Sequence, residues 1–252
     1  VRRLAAALLA LAAAGAVAAA AEKRSGYDDA GPQTRAMQDD DTANPGFLWV
    51  QQGEALWRER TGSATKSCAD CHGEPASLRG VAARYPAWDG KAGRPLGLEQ
   101  RINQCRTERQ GGSRLAPESD ALLALTMLVG LQSRGLPVAV DVSGPAQPFF
   151  EEGRRLFQTR IGQLNLSCAQ CHDQLAGERL AGALIPQGHA NGYPLYRLEW
   201  QGMGSFFRRL RNCMTGVRSE VFDPDSPEFV SLQLFLAWRA QGLKVETPAV
   251  RP

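Results

Sequence analysis

Histidine is the scarce residue of this chain: three in 252 positions, beside six cysteines. So few imidazoles leave no paired histidines to complete a structural zinc site in either half. An excess of one charge is also missing. Lys+Arg 29 against Asp+Glu 26 gives a formal +3, which excludes an electrostatic nucleic-acid footprint spread over the whole surface. Beyond residue 21 no apolar run is long enough to span a membrane, and no stretch shows the β-branched alternation of a substantial sheet. Disorder is excluded as the main theme by 43% hydrophobic and 22% charged content.

The one long apolar run comes first. Arg2 and Arg3 precede an Ala- and Leu-rich stretch from Leu4 to Ala21 with an Ala-x-Ala exit, the layout of a cleaved secretory signal over residues 1–21. A transmembrane anchor is the competing reading, but about 18 residues dominated by Ala is marginal for a hydrocarbon core of roughly 30 Å. The expectation is export to the periplasm as a mature protein with no membrane span. Residues 22–46 lack periodicity and read as a solvated, flexible leader.

From there the chain says nearly the same thing twice. At a spacing of 100, Trp49, Gly53, Leu56 and Trp57 match Phe149, Gly153, Leu156 and Phe157, and Ser67-Cys68-Ala69 matches Ser167-Cys168-Ala169. The apolar members fall on one helical face. At a spacing of 108, Tyr85-Pro86 matches Tyr193-Pro194, Arg101 matches Arg209 and Cys105 matches Cys213. Each half closes with Pro-Glu at a helix start (Pro117-Glu118, Pro227-Glu228) and a Gly-Leu exit (Gly135-Leu136, Gly242-Leu243). Ser-Gly-Pro and Gln-Pro in 141–148 mark a linker. The fold expected is all-α, with two tandem cytochrome c-type domains, 47–140 and 149–252, arising from an internal duplication.

Two of the three histidines close the motifs Cys68-Ala69-Asp70-Cys71-His72 and Cys168-Ala169-Gln170-Cys171-His172. Two thiols at this spacing reach both vinyl groups of one porphyrin as thioethers, and the adjoining imidazole ligates the iron. Two covalently bound haem c groups are expected, on Cys68 and Cys71 with His72, and on Cys168 and Cys171 with His172. A thioredoxin-like redox pair would want a βαβ setting, which is absent.

The second axial ligand is less direct. None of the four methionines, nor His189, occupies matching positions in both halves, whereas Cys105 and Cys213 do. In an exported protein a disulfide between these two is the bland reading. The repeat favours one cysteine per iron, since equivalent positions of two duplicates normally face equivalent surroundings. A thiolate ligand stabilises ferric iron and depresses its potential. The halves also differ. Arg208, Arg209 and Arg211 crowd Cys213, and Arg239 stands where the first half has Gln132. Guanidinium forks suit oxyanions, although most such arginines merely solvate a helix or pair with haem propionates. Arg209, with its counterpart Arg101, is the propionate or structural candidate; Arg211 and Arg239 are particular to the second half. His189, in a glycine-rich loop, reads as a locally bonded histidine.

With these residues in place the chain resembles SoxA, the dihaem subunit of the SoxAX cytochrome of bacterial sulfur oxidation. The resemblance rests on the two Cys-x-x-Cys-His motifs, Arg-Ile-Asn-Gln-Cys-Arg at 101–106, Arg-Leu-Arg-Asn-Cys-Met at 209–214 and the closing 236–251 stretch. It implies an L-cysteine S-thiosulfotransferase that, with a monohaem SoxX partner, conjugates thiosulfate to a cysteine of the SoxYZ carrier and passes two electrons to a cytochrome c. It further implies Cys105 and Cys213 as iron ligands, Cys213 as the catalytic cysteine, and Arg209, Arg211 and Arg239 as candidates to hold thiosulfate. A c4-like electron-transfer cytochrome, a tetrathionate-forming thiosulfate dehydrogenase and a dihaem peroxidase are the competing classes.

Overall fold

The computed structural model describes residues 22–252; the signal-peptide reading falls on 1–21, outside them. The helices are α1 (Pro32–Asp39), α2 (Phe47–Arg58), α3 (Ala69–His72), α4 (Leu98–Arg109), α5 (Asp120–Leu131), α6 (Gln147–Gln158), α7 (Phe206–Gly216) and α8 (Pro227–Arg239). Each half is built on one helix pair, α2 with α5 and α6 with α8. The matched glycines set how closely each pair approaches. A methyl at Gly53 would meet the carbonyl oxygen of Ala124 at 2.5 Å, and one at Gly153 that of Ser231 at 2.0 Å. Only a residue without Cβ lets the two backbones come so near. Around these crossings lie two cores, one with Val50, Trp57, Met127 and Leu128, the other with Phe157, Leu210, Met214 and Phe235.

The closing helices start where side chains accept their free N–H groups. Ser226 accepts from Phe229 with Pro227 in the first turn of α8, as the Pro-Glu signal predicts. In the first half that signal misleads. Ser119 caps α5, so Pro117 and Glu118 stand outside the helix, with Glu118 at φ +62°. The matched Gly-Leu exits meet each other: Gly135 donates to Val245 O, Val245 to Leu136 O, Gly242 to Val138 O and Val138 to Leu243 O, all at 2.8–3.0 Å. Beneath this ladder Val138, Val140 and Ala146 pack with Leu234, Ala237 and Val245 in a core shared by both halves. The stretch read as a linker, 141–148, is mostly exposed and is anchored in this core by Ala146.

The chain is helix-rich but not all-α. β1 (Ala87–Asp89) pairs β2 (Arg94–Leu96), β3 (Arg179–Leu180) pairs β4 (Ala183–Leu184), and a three-stranded sheet runs in the order β6 (Gly202–Gly204), β5 (Leu195–Arg197), β7 (Ala249–Arg251). Strands of two or three residues are too short to show alternation, and β5 pairs β7 in parallel across half a domain of sequence. The leader also departs from expectation. Its α1 lies against β7, Gln38 Oε1 accepts from Val250 N and the Arg251 guanidinium, and Asn44 Nδ2 donates to Pro248 O at 2.9 Å. α1 buries no residue of its own, so these distant polar partners fix it and no local apolar pattern announces it.

Candidate functional site

Each Cys-x-x-Cys-His motif is launched by a reciprocal cap. Ser67 N donates to Asp70 Oδ2 at 2.8 Å while Asp70 N donates to Ser67 Oγ at 3.1 Å. In the second half Ser167 N donates to Gln170 Oε1 at 2.9 Å and Gln170 N to Ser167 Oγ at 3.3 Å. Ser-x-x-Asp and Ser-x-x-Gln are capping boxes, which turn the chain into a helical segment at the first cysteine of each motif. α3 follows in the first half, a π-helical turn over Gln170–Gln174 in the second.

In the first half Cys68, Cys71, His72 and Cys105 border one cavity of ≈ 220 Å³ with Trp57, Tyr85, Ile102, Leu125 and Val129. They surround a space instead of converging on a point, as a planar macrocycle requires and a bare ion does not. α4 brings Cys105 there. Burial, partly offset by Arg101 and Arg109, pushes its thiol above the ordinary value. No methionine lines this cavity. Arg101 is tied down, with Nε on Tyr85 Oη at 3.2 Å and Nη2 on Asp89 at 2.5 Å.

The second half is more enclosed. His172 Nδ1 lies 2.7 Å from Pro186 O. A carbonyl only accepts, so Nδ1 carries the proton and Nε2 keeps a lone pair for a metal. A methyl at Gly188 would meet the His172 ring at 2.9 Å, so that loop cradles the imidazole. Burial lowers the pKa of His172, and Arg209 and Arg239 add to the effect. Cys168 is pushed up to about 11, by burial first and then by the neighbouring Cys213. Tyr193 rises to about 12, again chiefly by burial. Cys168 and Tyr193 both pack against the core that holds Phe206, Leu210 and Met214.

All six cysteines are free, so the disulfide between Cys105 and Cys213 is not formed. Met127, Met203 and Met214 are at most 3% exposed within apolar cores. With free thiols on either side of each motif, and His172 held in the ligating tautomer, the residues fit covalent haem.

The arginines separate. Arg209 lies one turn from Cys213 on the same face of α7, and among the described residues its side chain has no hydrogen bond or ion pair. Arg211, two positions from Cys213, projects from the opposite face and is exposed. Arg239 Nη2 pairs with Asp173 at 2.6 Å, and its guanidinium sits 4.5 Å over the Phe157 ring. A second cavity, ≈ 330 Å³, is lined by Arg209, Arg197, His189, Tyr193 and Gly188. His189 Nε2 is 3.1 Å from Gln187 Oε1. Burial takes its pKa to about 4, so it is neutral at pH 7. Sequence reasoning passed over Asp173 and Pro186. Of these, Asp173, next to His172, has a local signal, an acid beside a ligand.

Residues 52–138 match the family model described as SoxA/TsdA, cytochrome c domain. The chain is 42% identical over 221 residues to the L-cysteine S-thiosulfotransferase subunit SoxA of Pseudaminobacter salicylatoxidans, covering 87% of this chain and 77% of the relative. It is 38% identical to the protein of that name from Paracoccus pantotrophus, covering 90% and 78%. The crystal structure of SoxXA from P. pantotrophus contains a chain that superposes with a TM-score of 0.88 at 37% identity, covering 91% of this chain and 87% of that one.

Proposed function

The chain belongs to the SoxA family of L-cysteine S-thiosulfotransferase subunits, and from that premise we propose that it carries two haem c groups with Cys213 as the reacting residue. Cys68 and Cys71 would hold the first haem, with His72 and Cys105 to ligate its iron. Cys168 and Cys171 would hold the second, with His172 and Cys213. The two halves are read as duplicated cytochrome c domains. The chain acts in the periplasm with a SoxX partner on a SoxYZ carrier, and a cytochrome c takes the electrons.

The observation that supports this reading is that each later cysteine stands near the first cysteine of its own motif, Cys105 by Cys68 and Cys213 by Cys168. The reaction forms one sulfur–sulfur bond. Carrier thiol and thiosulfate give the carrier S-thiosulfonate, one proton and two electrons. Haem, when bound, supplies the one-electron sink and a ferric centre that stabilises a thiolate. The protein's own groups do the rest. Arg209, unengaged and one turn from Cys213, binds the sulfonate end in paired hydrogen bonds. Arg239, held by Asp173, adds fixed positive charge that favours a bound dianion. Arg211 points away and contributes least.

The decisive assay is mass spectrometry of the carrier cysteine after incubation with thiosulfate, with and without the partner cytochrome. A thiosulfate-dependent adduct that needs Cys213 is expected. The family description also spans TsdA, so product analysis for free tetrathionate without carrier tests the dehydrogenase reading. A near-infrared Met–iron charge-transfer band at either haem would sink the thiolate assignment.

A further inference from the structure

Helices α4 and α7 are equivalent by position, yet their N-termini are satisfied differently. α4 follows Gly97, whose N–H donates to Gln100 Oε1 at 2.9 Å, and its first three positions, Leu98, Glu99 and Gln100, carry no cation. At the corresponding positions α7 has Phe207 and Arg208, then Arg209, and no acid in its first turn. Cations at the positive end of a helix dipole are unfavourable. α7 therefore starts with the wrong charge.

A carboxylate that offsets this charge comes from the other half. Ser205, 1% exposed, is the N-cap, and its Oγ accepts from Arg208 N at 3.3 Å. The same hydroxyl donates in a short hydrogen bond to Glu118 Oε1, and Ser205 N donates to Glu118 Oε2 at 3.4 Å. Glu118 is the residue displaced from the start of α5 and sits at φ +62°, a conformation that suits glycine better. Beside it Arg114 pairs with Asp225, and Gln100 Nε2 donates to Pro224 O at 3.2 Å. The 111–119 loop is thereby latched to the second half.

We propose that Glu118 is a positioning residue for Cys213: from the first half its carboxylate holds Ser205, the N-cap of α7, and so sets the helix that carries the sulfur. The inference rests on the assignment of Cys213 as ligand of the second haem. It makes the first half a structural part of the second site, apart from any role of the first haem.

The test uses the dihaem holoprotein with its partner cytochrome. Glu118→Gly removes the carboxylate while suiting the left-handed backbone, so the fold is retained. Amide hydrogen exchange over 207–211 should rise about tenfold, the loss of one charged cap. The low-spin thiolate resonance of the second haem should shift or split while that of the first stays fixed. Adding Ser205→Asp, a cap in cis, should restore both. Wild-type exchange in α7, or raised exchange with an unchanged second-haem signal, overturns the proposal. So does a change in both haems that Ser205→Asp does not reverse, the mark of general damage. Failure of the underlying reading looks different: Cys213→Ala would leave the second-haem signal unchanged whatever the state of the cap.

Discussion

The two Cys-x-x-Cys-His sites share a plan and differ in what is held and what is left free. In the first, His72 is exposed, its ring 5.8 Å from Trp57, and Arg101 is spent on Tyr85, Gln104 and Asp89. In the second, His172 is fixed by Pro186 and Gly188, and Arg209 is unengaged. An arginine with three partners steadies a fold, whereas one without partners one turn from a cysteine is available to a ligand. That difference is why the proposed chemistry is put in the second half.

The sharpest way to break that contrast is to remove the two matched cysteines in turn. Cys213→Ala, still haem-loaded, should lower carrier conjugation by at least about a hundredfold, and Cys105→Ala by no more than about threefold. Equal losses, read as carrier adduct by mass spectrometry, would mean that the halves act alike. Next are the arginines. Arg209→Gln should cut kcat/KM for thiosulfate by roughly tenfold or more, the weight of a charge-assisted pair. Arg101→Gln should leave kcat/KM near wild type but cost about 1–3 kcal/mol of stability, because it strands Asp89 at 7% exposure. Arg211→Gln should change neither.

The glycines sharpen the comparison further. Gly80 and Gly188 have φ +77° and +75°, so alanine at either costs on the order of 1 kcal/mol. At Gly80 the new methyl meets only Leu136 at 3.5 Å, while at Gly188 it strikes the His172 ring. Thermal unfolding should show a larger loss for Gly188→Ala, with a shifted second-haem Soret band; Gly80→Ala should leave both Soret bands in place.

The comparison also carries a pH dependence, centred on Glu99 of the first half. Burial, with Glu118 and Asp225 nearby, pushes Glu99 up to about 8. The folded state then holds a proton that the unfolded chain releases near its ordinary pKa, so this residue makes stability fall as pH rises from about 4.5 to 8. Below that window the effect is absent. Denaturant unfolding at pH 5 and pH 8 should show the slope, and Glu99→Gln should flatten it.

Much of this site is legible in the sequence because its determinants are local. The Cys-x-x-Cys-His spacing and the Ser-x-x-Asp and Ser-x-x-Gln caps act within a turn or two of helix. The same locality settles Arg211, since two positions on a helix are about 200° apart and so cannot share a face with Cys213. What escaped is what pairs at a distance. β5 with β7, α1 on β7 and Glu118 on Ser205 join segments whose own composition says nothing of the partner. Pro117-Glu118 misled because the signal is real but Ser119 caps better, which freed the acid for another helix.

The parallel pairing of β5 with β7 also decides what residues 249–251 hold in place. Ala249 and Val250 are fully buried in β7, and Gln38 of α1 accepts from Val250 N and the Arg251 guanidinium. Loss of these residues would release the leader helix as well as uncover β5.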